Sequence, residues 1–243
     1  MSRGLDALEG RNVVFEALTR NRRPVRRIYL DRGARPDEKI DAILRLANER
    51  GVPVERVERQ QLDRRSYTGV HNGIIAEAEP LPQPSVKEVL DSVNEPFFVL
   101  VDEVQYEHNL GAILRSALGA GVHAVVIPTE RGKGLTPIVQ RVAMGGAEAV
   151  PVIREGLSSA LATIQRAGVK IVGADMDGAP PWAVDMRGPL AIVLGGEDKG
   201  LTAPLRKRCD AIVGIPLAGG LQSLNVSVSA AVVMFERVRQ LSL

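Results

Sequence analysis

Three short segments of the chain place glycine or polar residues directly after an apolar run that predicts a β-strand. The candidate residues are Asn109 and Arg115 in the first segment, Gly195 and Glu197 in the second, and Ser223 and Asn225 in the third. In open parallel sheets, ligands bind at the carboxyl ends of the strands. These segments are therefore where we expect the chemistry of the protein.

The first segment, residues 102–121, predicts a helix over 109–121 with Asn109 as its N-cap. Apolar residues occur nearly all round this helix, which predicts that it is buried. Arg115 is the one charge within it, and a buried arginine must be paired or must serve a ligand. Because helical side chains lean toward the N-terminus, we expect Arg115 to approach Asn109. A structural ion pair between Arg115 and a carboxylate is the alternative.

The other two segments are rich in glycine or small residues. Gly195 and Gly196 follow the predicted strand 190–194 and allow a ligand to approach the backbone closely, although tight turns also use such pairs. Their spacing fits neither the dinucleotide fingerprint nor a P-loop. The third segment predicts a helix over 223–240 that carries no charge from 223 to 235. Such a helix suits a site or a tight subunit contact, and capping by Ser223 with close packing is the alternative.

The composition is that of a soluble globular protein, with 45% hydrophobic and 25% charged residues among 243. The single cysteine, Cys209, excludes an internal disulfide, and no cluster of ligands favours a metal. The chain contains no apolar run of the roughly 18–20 residues that a membrane span needs, and its N-terminus lacks the apolar core of a secretory signal. We therefore expect a cytoplasmic protein.

The net charge of +2 argues neither for nor against nucleic acid, but residues 20–35 hold seven arginines and one aspartate. Such a cluster is an electrostatic footprint for phosphate, and a merely solvated face is the alternative. The residues that we expect to contact RNA are Arg22, Arg23, Arg26 and Arg27. Because aromatic residues make up only 3% of the chain, a base-stacking platform is poorly supported.

Three alternating prolines in residues 79–85 predict a stiff connector between two domains, 1–78 and 86–243. The first domain alternates short helices and strands, which predicts a small α/β domain. The second alternates apolar strands and helices more regularly, and this pattern is typical of a parallel α/β sheet.

Taken together and in this order, the three segments resemble the motifs of the SpoU/TrmH (SPOUT-class) family of RNA ribose 2′-O-methyltransferases. Residues 108–115 match H-N-x-G-A-x-x-R, residues 195–200 match G-x-E-x-x-G, and residues 215–230 match the isoleucine-proline to S-L-N-V-S motif, with its alanine slightly later. Residues 10–18 and 71–73 are similar to the RNA-substrate domain of bacterial 23S rRNA guanosine 2′-O-methyltransferases. One departure is visible: Tyr106 and Glu107 stand where the family usually has Asp-Pro.

The resemblance implies a C-terminal parallel-sheet domain with a deep trefoil knot, a small N-terminal RNA-substrate-binding domain, S-adenosylmethionine as cofactor, and a homodimer. It also implies cofactor contacts from Leu194, Gly195, Gly196, Ile215, Leu217 and Leu224. The reaction would be attack of a ribose 2′-hydroxyl on the methyl carbon of the sulfonium. The O–CH3 bond forms as the S–CH3 bond breaks, the demethylated cofactor leaves, and the resemblance implies an RNA phosphate as the acceptor of the hydroxyl proton.

The family residue matching Arg115 is assigned to activate the hydroxyl. Because a guanidinium stays protonated in proteins, we expect Arg115 to stabilise the developing alkoxide and to grip the adjacent phosphate instead of acting as a base. The resemblance implies that this arginine and the ribose are oriented by Asn109, Glu197, Ser223 and Asn225.

Rival interpretations lie within and outside the family. A catalytically silent RNA-binding relative would lack Arg115 or the pair Ser223 and Asn225, and all three are present. A nucleotide-dependent oxidoreductase is disfavoured by the missing glycine fingerprint. A transfer-RNA target, or an antibiotic-resistance role on ribosomal RNA, stays open beside a guanosine of 23S rRNA.

Overall fold

The computed structural model describes residues 4–35, 37–102, 106–129, 134–196 and 200–242. The chain forms two compact units. The first unit comprises Met1–Pro82 and Leu135–Ala149, and the second comprises Gln83–Gly134 and Val150–Leu243. Among the described residues, none of the helices combines the length and the apolar character that a membrane span requires.

The elements up to Pro82 belong to the first unit. In chain order they are β1 (Asp6–Glu9), α1 (Arg11–Arg20), β2 (Val25–Asp31), α2 (Glu38–Glu49), β3 (Val54–Val57), α3 (Arg59–Arg65) and β4 (Ile74–Ala78).

The later part of the chain contributes six strands and seven helices to the described structure, besides one turn of 3₁₀ helix at Pro181–Ala183. In chain order they are α4 (Val86–Ser92), β5 (Phe97–Val101), α5 (Glu107–Gly119), β6 (Ala124–Ile127), α6 (Pro137–Val142), α7 (Gly146–Ala149), β7 (Val152–Arg154), α8 (Leu157–Arg166), β8 (Lys170–Ala179), β9 (Leu190–Leu194), α9 (Ala203–Arg206), β10 (Ala211–Val213) and α10 (Val226–Leu241). Of these, α6 and α7 lie in the first unit.

The first unit is built on a mixed sheet with the strand order β1-β4-β2-β3. Strands β2 and β3 pair in parallel, whereas β4 pairs antiparallel with both of its neighbours. Helices α1 and α2 cover one face, because their apolar stripes, which include Val14, Leu18 and Ile43, join the strand residues Ile28 and Leu30 in one buried cluster. The unit is therefore the small α/β domain that the alternation predicts.

The second unit is a six-stranded parallel sheet with the order β10-β8-β9-β5-β6-β7. Every residue of β5 and β9 is buried, as the continuous apolar runs of these strands predict. Helices α4, α8 and α9 contribute to a buried cluster on one face of the sheet. Helices α5 and α10 pack against each other. The predicted α/β fold with a parallel sheet is confirmed, and the trefoil knot stays a prediction.

The starts of two helices differ from the sequence prediction. Helix α5 begins at Glu107 with Tyr106 as its N-cap, so Asn109 lies inside the first turn and is not the N-cap. Helix α10 begins at Val226 with Asn225 as its N-cap, two residues beyond the predicted Ser223. In the second case the amide side chain of Asn225 replaces the serine hydroxyl as the capping group.

Candidate active site

The three candidate segments leave the carboxyl ends of β5, β9 and β10 in the second unit. Strands β5 and β9 are neighbours, with Val101 in register with Leu194. The backbone N–H of Asp102 donates a hydrogen bond to the carbonyl of Leu194 across 3.0 Å, which continues the pairing into the loop. The sheet therefore delivers the first and second segments to the same edge.

A hydrogen bond between side chains connects the first segment to the third. The Nδ2 of Asn225 donates to Oδ1 of Asn109 across 3.1 Å. The Oδ1 of Asn225 accepts from the backbone N–H of Ser227 at 2.9 Å and from its hydroxyl at 2.6 Å. The cap of α10 thus fixes the amide that holds Asn109, and the first turns of α5 and α10 are coupled. The sequence analysis included Ser227 in the S-L-N-V-S motif but gave it no role at the site.

Arg115 is exposed, which corrects the prediction of a buried charge. Helix α5 buries Leu110, Ile113, Leu114 and Ala117 on one side, and Arg115 lies on the opposite stripe. Its guanidinium makes no hydrogen bond or ion pair with any residue that the structure describes. The alternative of a structural carboxylate partner therefore finds no support in the described chain, and the guanidinium is available to a ligand.

The turn after β9 brings two stretches of backbone into contact. Gly196 and Gly200 form an antiparallel bridge, with N–H to carbonyl distances of 3.2 Å and 3.1 Å. A Cβ atom on Gly195 would lie 2.0 Å from the carbonyl carbon of Gly200, so only glycine fits at that position. The predicted catalytic residue Glu197 lies outside the described residues.

The loop between β10 and α10 contains the other predicted cofactor contacts. Ile215, Leu217 and Leu224 are partly buried, and Ser223 is exposed. Within the described structure, the backbone of residues 215–224 forms no hydrogen bond, although Gly214 just before it donates to Ala179. Most of this stretch is exposed, so its amides and carbonyls are open to water and to a ligand with polar edges and an apolar ring.

The first unit shows that one of the predicted RNA contacts is structural. The guanidinium of Arg23 is fully buried and forms ion pairs with Glu148, from α7, and with Asp6, at 2.6 Å. It also donates to Gln140 Oε1 at 2.9 Å and to the carbonyl of Glu79 at 3.2 Å. The prediction that Arg23 binds RNA is therefore wrong, because every side of its guanidinium is engaged inside the unit.

The three other predicted RNA contacts differ in how accessible they are. Arg22 is partly buried and donates to the carbonyls of Glu148 and Ala149, and burial lowers the pKa of its guanidinium. Arg26 pairs with Glu79, and Arg27 pairs with Glu55, yet both side chains keep about half of their surface exposed, at 58% and 50%. Only Arg26 and Arg27 of the predicted set therefore present their charge to solvent.

The sequence of the chain matches two family models. Residues 96–235 match the SpoU rRNA Methylase family, and residues 7–84 match the RNA 2'-O ribose methyltransferase substrate binding domain. The substrate-binding match precedes the methylase match along the chain.

Relatives and solved structures agree with these matches. The chain is 37% identical to the 23S rRNA (guanosine-2'-O-)-methyltransferase RlmB of Pseudomonas putida, over 97% of both chains. It is 35% identical to the RlmB of Escherichia coli, over 98% of this chain and 99% of that one.

The structure is similar to that of the SpoU methyltransferase AviRb from Streptomyces viridochromogenes, solved with S-adenosylmethionine bound. The TM-score is 0.81 and the identity 25%, over 98% of this chain and 91% of that one. The predicted cofactor class is thereby confirmed for the family. The chain belongs to the SpoU rRNA methylase family, and it is an RNA 2′-O-methyltransferase.

Proposed function

We propose that this methyltransferase modifies the ribose 2′-hydroxyl of a guanosine in 23S rRNA, with S-adenosylmethionine as the methyl donor. The relatives that carry this activity in their names match the chain over nearly its whole length. The observation that carries the proposal is the hydrogen bond between Asn109 and Asn225, which joins the first and third motifs at the carboxyl edge of the sheet. The ribosomal substrate supports a cytoplasmic location.

The residues of the second unit fit the cofactor. The backbone of residues 215–224, which forms no hydrogen bond with the residues that the structure describes, offers hydrogen-bond donors and acceptors to an adenine edge. The partly buried side chains of Ile215, Leu217 and Leu224 offer apolar contact to its ring, and Leu194, Gly195 and Gly196 would complete the site at the end of β9. When bound, the cofactor supplies a methyl group made electrophilic by the positive sulfonium.

Arg115 is the residue that we assign to the ribose. A guanidinium is always protonated in proteins, so it does not remove a proton from the hydroxyl. It donates hydrogen bonds instead, and these are strongest toward a developing alkoxide or an RNA phosphate. The exposure of Arg115 and its freedom from partners in the described chain leave all of its donors available for this role.

Asn109, Asn225 and Ser223 are positioning residues in this proposal. The bond between the two asparagines fixes α5, which bears Arg115, relative to the start of α10. Ser223 lies exposed two residues before Asn225, where its hydroxyl can contact the ribose. Positioning of this kind accelerates a reaction by holding reactants in the productive geometry.

We propose a homodimer whose interface includes one face of α10. Val228, Val232 and Phe235 are exposed by 48%, 41% and 46%, and their spacing of four and three residues places them on one stripe of the helix. We propose that a second copy of this chain covers this stripe. The same stripe on each copy would then pack against the other across a two-fold axis, which is an isologous interface.

Arg26 and Arg27 are proposed as outer RNA contacts. Their ion pairs with Glu79 and Glu55 are exposed, and exposed pairs contribute little stability, so an RNA phosphate can compete for each guanidinium.

Mapping of 2′-O-methyl groups in ribosomal and transfer RNA from cells with and without the gene tests the function. We expect one guanosine of 23S rRNA to lose its methyl group in the deletion strain. Loss of a transfer-RNA methyl group alone, or no loss in either RNA, would overturn the proposal.

A further inference from the structure

Strand β8 is longer than the two strands beside it and continues past the edge of the sheet. Its pairing with β9 ends at Ala174. On the other side, the register with β10 jumps from Gly173 to Ala179 between two consecutive residues of β10. Residues 175–178 are therefore in register with neither neighbouring strand, and we call them the β8 overhang.

The backbone of the β8 overhang surrounds Gly214, the residue just before the proposed cofactor segment 215–224. A Cβ atom on Gly214 would lie 2.8 Å from the carbonyl oxygen of Asp175 and 2.9 Å from that of Met176, so only glycine fits there. The N–H of Gly214 donates to the carbonyl of Ala179 across 2.8 Å, directly after the overhang. The overhang thus determines where the segment 215–224 begins.

The β8 overhang also reaches the turn after β9. A Cβ atom on Gly200, whose φ is 60°, would lie 3.4 Å from Oδ1 of Asp175. The carboxylate of Asp175 therefore lies beside the backbone of Gly200, which forms the antiparallel bridge with Gly196. One short stretch of chain thus contacts the backbone next to both of the segments to which we assign the cofactor.

The side chain of Arg206, on α9, holds the β8 overhang by three hydrogen bonds. Its Nη1 donates to Oδ2 of Asp175 at 3.0 Å and to Oδ1 of Asp177 at 2.8 Å. Its Nη2 donates to Oδ2 of Asp177 at 2.9 Å. The bonds from Arg206 lower the pKa of the Asp177 carboxyl. Two parallel bonds from one guanidinium to one carboxylate fix the orientation of both groups.

Little else within the described residues holds the side chains of the β8 overhang. Met176 is 72% exposed and the side chain of Asp177 is 63% exposed. Besides Arg206, the carboxylate of Asp175 bonds to the N–H of Met176 next to it, at 2.8 Å. Arg206 itself follows Leu205, which is buried in the cluster on one face of the sheet. The arginine therefore connects a firmly packed helix to an otherwise exposed stretch of chain.

We propose that Arg206 is a positioning residue for S-adenosylmethionine. It fixes the β8 overhang through Asp175 and Asp177. The overhang in turn fixes the backbone at Gly200 and Gly214, next to the two segments that receive the cofactor.

The inference rests on the proposed function, because it assumes that the cofactor binds at residues 194–196 and 215–224. A site that is ordered before its ligand arrives loses less conformational entropy when the ligand binds. Without Arg206, the two segments would have to become ordered during binding, and the affinity for the cofactor would fall.

The test compares Arg206→Ala with Arg208→Ala in the full-length protein. Arg208 is the matched control, because it lies two residues further along the chain and its guanidinium bonds to Gln165 at 3.1 Å, outside the β8 overhang. Calorimetry measures the Kd of S-adenosylmethionine. Hydrogen exchange without cofactor is measured in peptides that contain residues 195–201 and 213–224, and urea unfolding reports global stability. None of these measurements needs RNA, so they stay decisive whichever RNA is the substrate.

We expect Arg206→Ala to weaken cofactor binding on the order of 10-fold and to speed up exchange in both peptides. With an unmodified 23S rRNA transcript as acceptor, the KM for the cofactor should rise while kcat at saturating cofactor is unchanged. The urea midpoint should equal that of the control, because exposed ion pairs contribute little stability. Arg206→Lys keeps the charge but lacks the planar fork, so its affinity should be intermediate.

Equal cofactor affinity of Arg206→Ala and Arg208→Ala would overturn the proposal. A loss of affinity that is accompanied by a lower urea midpoint would overturn it as well, because the arginine would then act on the stability of the whole unit. If Arg206→Ala does not fold, Asp177→Ala decides the question, since it removes the paired bonds from the exposed side. Normal cofactor affinity of that variant would also contradict the proposal.

Exchange in the presence of S-adenosylmethionine separates this inference from the proposed cofactor placement. In the unchanged protein, the cofactor should slow exchange in both peptides. If it slows exchange in neither, the placement is wrong and the inference about Arg206 is wrong with it. If it slows exchange in both, while Arg206→Ala exchanges and binds like the control, only the role of Arg206 is wrong.

Discussion

Asn225 is the N-cap of α10 and, through the other end of its amide, the hydrogen-bond partner of Asn109 in the first turn of α5. One side chain therefore both starts a helix and joins two motifs that are 116 residues apart in sequence. An error in the conformation of this amide would misplace both helices at once.

Replacing Asn225 with serine separates these two functions. Serine is a good N-cap, so we expect the stability of Asn225→Ser to stay close to that of the unchanged protein. Because the shorter side chain cannot reach Asn109, turnover should fall on the order of 10–100-fold. Asn225→Ala should lose turnover similarly and also about 0.5–2 kcal/mol of stability. Urea unfolding and single-turnover methylation measure the two effects, and full activity of Asn225→Ser would contradict the positioning role.

Replacing Arg115 with alanine should abolish most methyl transfer while S-adenosylmethionine affinity changes little. Removal of a donor to a developing oxyanion costs roughly 10²–10³ in rate. Thermal stability should not change, because the guanidinium is exposed and has no partner in the described chain. Arg115→Lys should also be poor, since lysine lacks the planar fork. Near-normal turnover of the alanine variant would show that the residue is dispensable.

Replacing Arg23 with alanine should destabilise the first unit by about 3–5 kcal/mol, because it leaves Glu148 buried without its counter-charge. The exposed Arg26→Ala serves as the control and should cost less than about 1 kcal/mol. Urea denaturation curves give both values. If Arg23→Ala were as stable as the control and instead lost RNA affinity, the structural role assigned to Arg23 would be wrong.

Replacing Val232 with aspartate should convert the proposed dimer to monomer. The matched control is Val70→Asp, because Val70 is a valine of similar exposure, 44% against 41%, in the first unit. Analytical ultracentrifugation at micromolar concentration should show the lower mass for Val232→Asp only. If the unchanged protein is itself a monomer in this experiment, the dimer proposal is wrong.

The stability of the second unit should fall as pH decreases below about 6.5. Burial, and then the charge of Arg237, lowers the pKa of His123 in the folded chain. The unfolded chain therefore binds more protons in the window below the ordinary histidine pKa, and stability is lost as pH falls through it. His123 also accepts from the N–H of Phe97 at 3.0 Å. His123→Gln keeps an acceptor but does not titrate, so its unfolding should depend less on pH.

Periodicity predicted the strands and helices where one apolar pattern runs without interruption. Strand β9 has the predicted bounds of 190–194. Strand β1 was not predicted. Helix α4 was missed as well, although Ser85 and Glu88 form a capping box. This helix has only seven residues and directly follows the proline connector.

Only those features of the site that lie within a single local motif could be predicted from the sequence. The burial of Arg115 was predicted wrongly, since an apolar composition does not reveal which stripe of a helix faces the core. The burial of Arg23 depends on its contact with Glu148, which lies 125 residues away in the sequence. No local sequence pattern connects the two residues. The bond from Asn225 to Asn109 depends in the same way on the order of the strands.

The chain leaves the first unit after Pro82, re-enters it at Leu135 and leaves it again after Ala149. A gene fragment that ends at the proline connector would therefore encode Arg23 without Glu148 and without Gln140. We expect such a fragment to be a poor folding unit. Exchange of the substrate domain between relatives during evolution would then require the joint inheritance of two separated stretches of the gene.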